Sequence, residues 1–78
     1  MSAVDVHVIP LPQGWEVRRT GGRLAVSKHR TRSSAVRAGR LLATEIETDL
    51  IVYEVDGRTV ALVEHYGRTS VEQQSAAG

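Results

Sequence analysis

The chain contains no cysteine and no phenylalanine, and its aromatic residues are one tryptophan and two tyrosines among 78 residues. Without cysteine, neither disulfide bonds nor thiolate metal sites can support the fold, and no oxidising compartment is implied. No stretch approaches the roughly 18 consecutive apolar residues that a membrane-spanning helix needs, and the amino terminus lacks the basic and then apolar order of a secretory signal. We therefore expect a cytoplasmic protein that is not embedded in a membrane.

The charge is small overall but unevenly distributed. The formal net charge is +1, yet residues 18–40 contain eight basic residues and no acidic one, whereas residues 41–78 contain seven acidic residues and two arginines. A chain this short has room for one hydrophobic core, so both regions belong to one domain. The polarity suits an anionic partner at the basic end or contact between copies of the chain. Nine of the ten basic residues are arginine, which a GC-rich genome also produces, so a merely solvated basic face remains the alternative.

Three strands are predicted in the first 30 residues. Residues 4–9 alternate with period two, and prolines stop the pattern. Residues 15–19 and 23–28 flank Gly21-Gly22, which favours a two-residue hairpin loop because glycine accepts positive φ. In that register Val17 faces Val26 and Trp15 faces Lys28, and one apolar side results. That side comprises Trp15, Val17, Leu24 and Val26.

One helix is predicted over residues 32–47. Thr31 is a suitable N-cap, and Gly39 is tolerable at a cost of about 1 kcal/mol relative to alanine. On a 3.6-residue period one side is continuously apolar. It comprises Ala35, Val36, Ala38, Gly39, Leu42, Ala43 and Ile46. The small residues on this side allow the helix to lie close to a sheet, whereas Leu41 points away.

A second hairpin is predicted from residues 50–55 and 58–66 around Asp56-Gly57, a type I′ turn signal. In that register Tyr53 faces Val60 and Ile51 faces Leu62. These strands are apolar on both sides, so they are either central in the sheet or buried against another copy. The predicted self-association residues are Leu41, Leu50, Val52, Ala61 and Val63.

Together these elements predict an α+β domain over residues 1–67, a single antiparallel sheet in chain order β-β-β-α-β-β with one helix packed on one face. The pattern is compatible with more than one strand order. Residues 68–78 have no pattern and are predicted to form a disordered tail. The predicted core comprises Trp15, Val17, Leu24, Val26, Ala35, Leu42, Ile46, Ile51, Tyr53 and Leu62.

Short stretches along most of the chain match a known pattern. They are His7-Val8-Ile9-Pro10, Gly14-Trp15-Glu16-Val17, Thr31, Ala35, Gly39-Arg40, Ala43, Asp56-Gly57-Arg58 and Tyr66-Gly67. In these residues the chain resembles the small bacterial family called domain of unknown function 2188, over residues 6–67. Family members often have an acidic residue where Ser34 stands and alanine where Gly39 stands, and both departures bear on helix stability. The resemblance implies the fold and assigns no activity.

The polar residues do not form a catalytic or metal-binding pattern. His7 and His65 could lie on neighbouring strands, but no further ligands have suitable spacing, so each is interpreted as a polar edge residue. His29 is interpreted as a solvent or phosphate contact. Ser33 and Ser34 lack the context of a nucleophile and are first-turn residues of the helix. We therefore expect no enzyme activity, no cofactor, no metal and no small-molecule substrate.

The basic residues carry the functional prediction. Arg30 and Arg32 flank the N-cap, where the helix dipole disfavours a cation and favours an anion. Other cations extend the charge along the helix and onto the sheet, where they could follow a phosphate backbone, although no aromatic stacking platform accompanies them. The predicted nucleic-acid-binding residues are Arg18, Arg23, Lys28, Arg30, Arg32, Arg37 and Arg40. The leading hypothesis is a non-catalytic, oligomeric module that binds DNA or RNA; the alternative is a protein-interaction or assembly module without nucleic-acid contact.

Overall fold

The computed structural model describes residues 4–67, which form one sheet covered on one side by one helix. The elements along the chain are β1 (Val6–Leu11), β2 (Gly14–Arg19), β3 (Ser27–His29), α1 (Arg32–Glu45), β4 (Asp49–Tyr53) and β5 (Val60–His65). The α+β class and the order β-β-β-α-β-β are therefore confirmed. The predicted disordered tail, residues 68–78, lies outside the described residues.

The sheet is mixed, so the prediction of a purely antiparallel sheet is wrong. Its strand order is β3-β2-β1-β4-β5. The central strands β1 and β4 pair in parallel, with Val6 beside Leu50 and Val8 beside Val52, and the other neighbours pair antiparallel. The reason is the helical crossover: α1 carries the chain back across the sheet, so β4 runs in the same direction as β3 and β1.

The core lies between α1 and the covered side of the sheet. Eight apolar residues there are at most 7% exposed. They are Val6, Val8, Val17, Leu50 and Val52 from the sheet and Ala35, Val36 and Ala43 from the helix. Trp15, Ala38, Leu42, Leu62 and Tyr66 are partly buried against this cluster.

The helix approaches the sheet closely at Gly39. A Cβ at this position would lie 2.8 Å from Leu50 Cδ1 and 3.0 Å from Val8 Cγ2. The small residues on the helix therefore set the distance between the two layers, as the sequence predicts. The helix ends two residues earlier than predicted, because Glu47 adopts a left-handed φ of 57°.

The first hairpin differs from its predicted register by one residue. Trp15 pairs with His29 and Val17 with Ser27, and residues 20–26 form a loop longer than the predicted two-residue turn. The guanidinium of Arg18 holds this loop by donating hydrogen bonds to the carbonyl oxygens of Gly22 and Arg23. As a result, residues 23–26 of the strand predicted over residues 23–28 lie outside the sheet.

Several predicted core residues are therefore misplaced. Leu24 is 82% exposed and Val26 is 50% exposed because both lie in the loop after β2. Ile46, at the C-cap of α1, is 37% exposed because the helix ends there. Val17 and Ala35 are buried as predicted, and the partly buried residues include Trp15, Leu42 and Leu62.

The second hairpin contains a β-bulge that changes part of its predicted register. Tyr53 pairs with Val60 as predicted, but Ile51 pairs with Val63 instead of Leu62. The bulge inserts one residue, and successive side chains on a strand point to opposite sides. The bulge therefore puts Val63, not Leu62, on the same side as Ile51. Ile51 and Tyr53 lie on the side of the sheet away from the helix, because the pairing of β4 with β1 turns Leu50 and Val52 toward it. Both are partly exposed, and neither belongs to the core.

The predicted self-association surface is wrong at its two central residues. Leu50 and Val52 are fully buried under α1 within one chain, because their parallel pairing with Val6 and Val8 places them on the covered side. Leu41 is 70% exposed, Val63 is 45% exposed, and Ala61 is exposed.

No helix among the described residues is long and apolar enough to cross a membrane.

Candidate nucleic-acid interface

A groove lies where the β1–β2 turn meets the end of β3. It has a volume of about 530 Å³ and is lined by Leu11, Pro12, Gln13, Lys28, His29 and Arg30; we call it the basic groove. Gly14 brings the two segments together. Its φ is 152°, and a Cβ there would lie 2.3 Å from the His29 carbonyl oxygen. A side chain at position 14 would therefore separate the two walls.

The helix begins directly after the basic groove. Thr31 has extended backbone angles, and its hydroxyl accepts a hydrogen bond from the Ser34 N–H at 3.2 Å, so the predicted N-cap is confirmed. The first turn contains no acidic residue. Arg30 and Arg32 are both exposed. The start of the helix thus combines its positive dipole end with two uncompensated arginines, an arrangement that favours an anion.

His29 ties β3 to the first turn of the helix. Its Nε2 lies 2.8 Å from Ser27 Oγ, and its Nδ1 lies 2.9 Å from Ser34 Oγ. Both ring nitrogens therefore form hydrogen bonds within the chain, and the imidazole links β3 to the start of the helix. In a hydrolytic triad the second ring nitrogen donates to an orienting carboxylate; here a serine hydroxyl takes that position.

Two of the predicted phosphate-binding cations are held by carboxylates. Arg18 Nε donates to Glu16 Oε2 at 2.9 Å, and the guanidinium of Arg40 donates two hydrogen bonds of 2.9 Å to the Glu64 carboxylate. These hydrogen bonds, and then the attraction between the charges, raise the pKa of Arg40. The bonds from Arg40, followed by one from Tyr66, lower the pKa of Glu64. Both arginines are therefore less available to an external anion.

The other predicted cations are exposed and form no ion pair within residues 4–67. Lys28, Arg30 and Arg32 come together at the basic groove and the adjacent helix start. Arg37 lies on the next part of α1. Arg23 lies in the loop after β2, at the opposite end of the sheet from the groove.

Sequence reasoning missed two features of the basic surface. Arg19 is exposed at the end of β2 and lines a depression together with Arg23. Gln13 contributes a polar side chain to the wall of the basic groove. The pairing of Arg18 with Glu16 had a readable signal, because residues two apart on a strand share a side. The Arg40–Glu64 pair had none, since it joins the helix to the last strand.

The histidines outside the groove serve local contacts. His7 Nδ1 lies 3.1 Å from Tyr53 Oη and its Nε2 lies 2.8 Å from Thr20 Oγ1, while His65 Nδ1 lies 2.9 Å from Asp49 Oδ1. Because β4 separates β1 from β5, His7 and His65 are not on neighbouring strands. Within residues 4–67 no group of three potential ligands could hold a metal ion.

Comparison with known proteins identifies a family but no characterised relative. A family model described as an uncharacterized protein conserved in bacteria, DUF2188, matches residues 6–60. No curated protein matches, and no solved structure matches. The matched region runs from β1 to the beginning of β5 and includes the basic groove and the whole helix. The chain therefore belongs to the DUF2188 family of uncharacterised bacterial proteins.

Proposed function

We propose that this chain is a non-catalytic binding module that holds the phosphate backbone of DNA or RNA at the basic groove. The observation that carries the proposal is the grouping of Lys28, Arg30 and Arg32 around one groove, with no ion pair to any of them among the described residues. Two segments, residues 11–13 and 28–30, line the groove, and Arg32 lies next to it at the start of the helix. Its chemistry is that of an anion site.

The mode of contact follows from the chemistry of the groove. Arginine and lysine side chains neutralise phosphates and release counterions, and this gives affinity that falls steeply with salt. The N–H groups at the helix start add donors for phosphate oxygens. Such contacts position a protein on a nucleic acid without reading its sequence. We therefore expect binding that is weak, sensitive to salt and indifferent to base sequence.

The test measures binding to a fluorescent duplex over a series of salt concentrations. Arg30→Ala and Arg32→Ala should each weaken binding and reduce the slope of log affinity against log salt by about 0.9. Arg37→Ala tests how far the surface extends along the helix. Arg58→Ala is the matched control, because Arg58 is an exposed arginine in the β4–β5 loop and its loss changes the net charge equally.

Two results would contradict the proposal. Wild-type protein that binds neither DNA nor RNA at low salt would leave the basic groove as a solvated surface. Equal effects of Arg58→Ala and Arg32→Ala would show attraction by net charge alone, without a defined site. Comparing single strands with duplexes then distinguishes the form of nucleic acid that binds best.

A second candidate function is an assembly module with no nucleic-acid contact. It is favoured by the uncovered side of the sheet, where Ile9, Ile51 and Tyr53 lie on central strands and are only partly exposed. Its association would bury apolar surface and would depend little on salt, unlike phosphate binding.

A further inference from the structure

The basic groove has two chemically different walls. One wall, from the β1–β2 turn, offers the apolar side chains of Leu11 and Pro12 and the amide of Gln13. The other wall, from the end of β3, offers the cations Lys28 and Arg30. Ligand sites commonly combine an apolar lining with a few polar groups that orient the ligand. The groove therefore suits a molecule that has both an apolar part and an anionic part.

The cations at this groove form a cluster and not a stripe across the sheet. Lys28 and Arg30 are separated by one residue, and both are exposed and form no ion pair within residues 4–67. Arg23 lies beyond the other end of β2, about 20 Å away, because a strand of six residues spans about that distance. Arg18 lies between these two ends on β2, but Glu16 accepts a hydrogen bond from its Nε. The groove therefore matches a charge at one point better than a long run of phosphates.

An acidic residue beside the groove leaves this charge available. Glu16 pairs with Lys28 across β2 and β3. The Glu16 side chain is 7% exposed, and its Oε2 lies 2.9 Å from Arg18 Nε. Because the Glu16 carboxylate bonds to Arg18, it lies beyond ion-pair distance of the Lys28 ammonium. Lys28 is therefore free to bind an external anion.

Contacts within the chain hold both walls of the groove in place. His29, which lies between the two cations in sequence, bonds through its ring nitrogens to Ser27 and Ser34. These bonds fix the end of β3 against the first turn of the helix. Gly14 allows the β1–β2 turn to approach the His29 carbonyl oxygen. A site whose walls are already in place loses less conformational entropy when a ligand binds.

A phosphate at the end of a nucleic-acid strand has the properties that this groove requires. Such a phosphate monoester carries about −1.5 to −2 charges at pH 7 and three acceptor oxygens, whereas each phosphate within a strand carries a single negative charge. Arginine and lysine side chains both bind phosphate oxygens. The terminal nucleoside can pack on Leu11 and Pro12. The Gln13 amide both donates and accepts hydrogen bonds, so it can bond to the edge of any base.

We infer that the basic groove binds the phosphorylated end of a single nucleic-acid strand, with the terminal phosphate on Lys28 and Arg30 and the terminal nucleoside on the β1–β2 turn. This binding rests on the proposed function and narrows it from backbone phosphates in general to the terminal phosphate. The groove volume of about 530 Å³ lies within the range of about 300 to 1,000 Å³ that is usual for small-ligand sites, so one nucleotide fits where a duplex does not. A strand end is favoured over a free nucleotide because Arg32, exposed beside the groove, can contact the next phosphate.

The first experiment compares single strands of one sequence that carry an internal fluorescent dye and differ only in their ends. One strand has a 5′-phosphate, one has a 3′-phosphate, and one has hydroxyl groups at both ends. Fluorescence anisotropy measures their binding to the full chain at about 0.1 M salt, where long-range attraction is screened. At least one phosphorylated strand should bind about tenfold more tightly than the hydroxyl strand, which is the effect of one charge-assisted contact.

The second experiment locates the terminal phosphate on the protein. Lys28→Ala and Arg30→Ala should each remove most of the difference between the phosphorylated and hydroxyl strands, and should change binding of the hydroxyl strand much less. Arg23→Ala is the matched control, because it removes the same charge beyond the other end of β2, and it should preserve the difference. The three side chains are exposed, so all variants should fold like wild type, which circular dichroism checks.

A competition experiment distinguishes a strand end from a free nucleotide. Unlabelled phosphorylated strand, adenosine 5′-monophosphate and inorganic phosphate are each added to the complex with the labelled phosphorylated strand. The two small competitors should need at least about tenfold higher concentrations than the strand, because neither reaches Arg32. Displacement by the nucleotide at the same concentration as the strand would overturn the strand end as the occupant.

The failure of this inference is distinguishable from the failure of the proposed function. Equal binding of the hydroxyl and phosphorylated strands would overturn the terminal phosphate as the ligand and leave backbone binding intact. A preference that survives in both Lys28→Ala and Arg30→Ala would also overturn it, because the terminal phosphate would then lie elsewhere. The absence of binding to any strand or duplex would overturn the proposed function itself.

Discussion

The two sides of β4 are equally apolar in sequence and have opposite roles in the structure. Leu50 and Val52 are fully buried beneath the helix. Ile51 and Tyr53, which alternate with them, lie on the side of the sheet away from the helix, here called the open face, and are partly exposed. Composition does not separate the two pairs. What separates them is the neighbouring strand, because β1 offers Val6 and Val8 to one side and His7 and Ile9 to the other.

This difference teaches that only one of the two faces of the sheet contributes to the core. The covered face brings large apolar residues into contact with a helix of small residues, so it supplies the core. The open face carries an apolar patch within a polar rim, together with hydrogen bonds such as that between His7 and Tyr53. Such a surface resembles the anatomy of a protein interface more than that of a core.

The largest expected effect separates the two faces directly. Val52→Lys should abolish cooperative folding, because an ammonium buried without a partner costs more than a domain of this size can compensate. Ile51→Lys, one residue away, should leave a folded chain with a melting temperature close to that of wild type, because its side chain lies on the open face and is partly exposed. Thermal unfolding followed by circular dichroism measures both. Similar behaviour of the two variants would show that the faces are not different in kind.

A smaller effect concerns the distance between the helix and the covered face. Alanine is a better helix former than glycine by about 1 kcal/mol, but a Cβ at position 39 would press on Leu50 and Val8, and overpacking costs about 1–3 kcal/mol. We expect Gly39→Ala to lower the free energy of unfolding by about 1 kcal/mol, measured by urea denaturation.

The double variant with Leu50→Val provides the control for this expectation. It removes the Leu50 methyl group that lies 2.8 Å from the added Cβ, so the two substitutions should cost less together than the sum of their separate costs. Strict additivity would show that the helix simply moves away from the sheet.

How much of this architecture was predictable depends on how far apart in the sequence the interacting residues lie. The helix, its N-cap Thr31 and its small apolar side follow from local signals and are confirmed. The parallel pairing of β1 with β4 is not local, because a whole crossover separates the two strands. The first hairpin register was displaced by one residue, since Arg18 holds a loop longer than two residues. In the second hairpin the pairing beside the turn was predicted correctly, and the register shifts by one residue only beyond the bulge at Val52 and Tyr53.

The candidate site shows the same limit. The basic segment was evident from composition, and the residues at the helix start were placed correctly beside the N-cap. The groove itself arises because Gly14 lets the β1–β2 turn touch the end of β3, a contact between segments fifteen residues apart in sequence. The pairing of Arg40 with Glu64 depends on the position of β5 in the sheet, which the sequence left open.

The smallest expected effect lies at the edge of the covered face, where Arg40, Glu64 and Tyr66 form one hydrogen-bonded group. Bonds from Arg40 and then Tyr66 hold the pKa of Glu64 below its ordinary value of 4.5. A carboxyl whose pKa is lowered by folding stabilises the folded chain above its unfolded pKa, and this contribution is lost as the pH falls through the folded value. The hydrogen bond to Glu64, with desolvation second, raises the pKa of Tyr66 above 10.0, so its contribution is present below pH 10 and is lost as the pH rises further.

Glu64→Gln should therefore flatten both the acid and the alkaline limbs of a plot of unfolding free energy against pH. Its difference from wild type should be largest near pH 7 and should still be small there, because exposed ion pairs contribute little. The acid limb should not vanish, since hydrogen bonds from Thr59 and then Arg58 also lower the pKa of Asp56. Glu54→Gln is the control. It removes the same charge from the β4–β5 loop, where Glu54 forms no ion pair within residues 4–67, and should leave both limbs unchanged. Urea denaturation from about pH 2 to about pH 11 measures the difference. Parallel curves for Glu64→Gln and wild type would mean that the group at the edge of β5 adds nothing to the stability of the covered face.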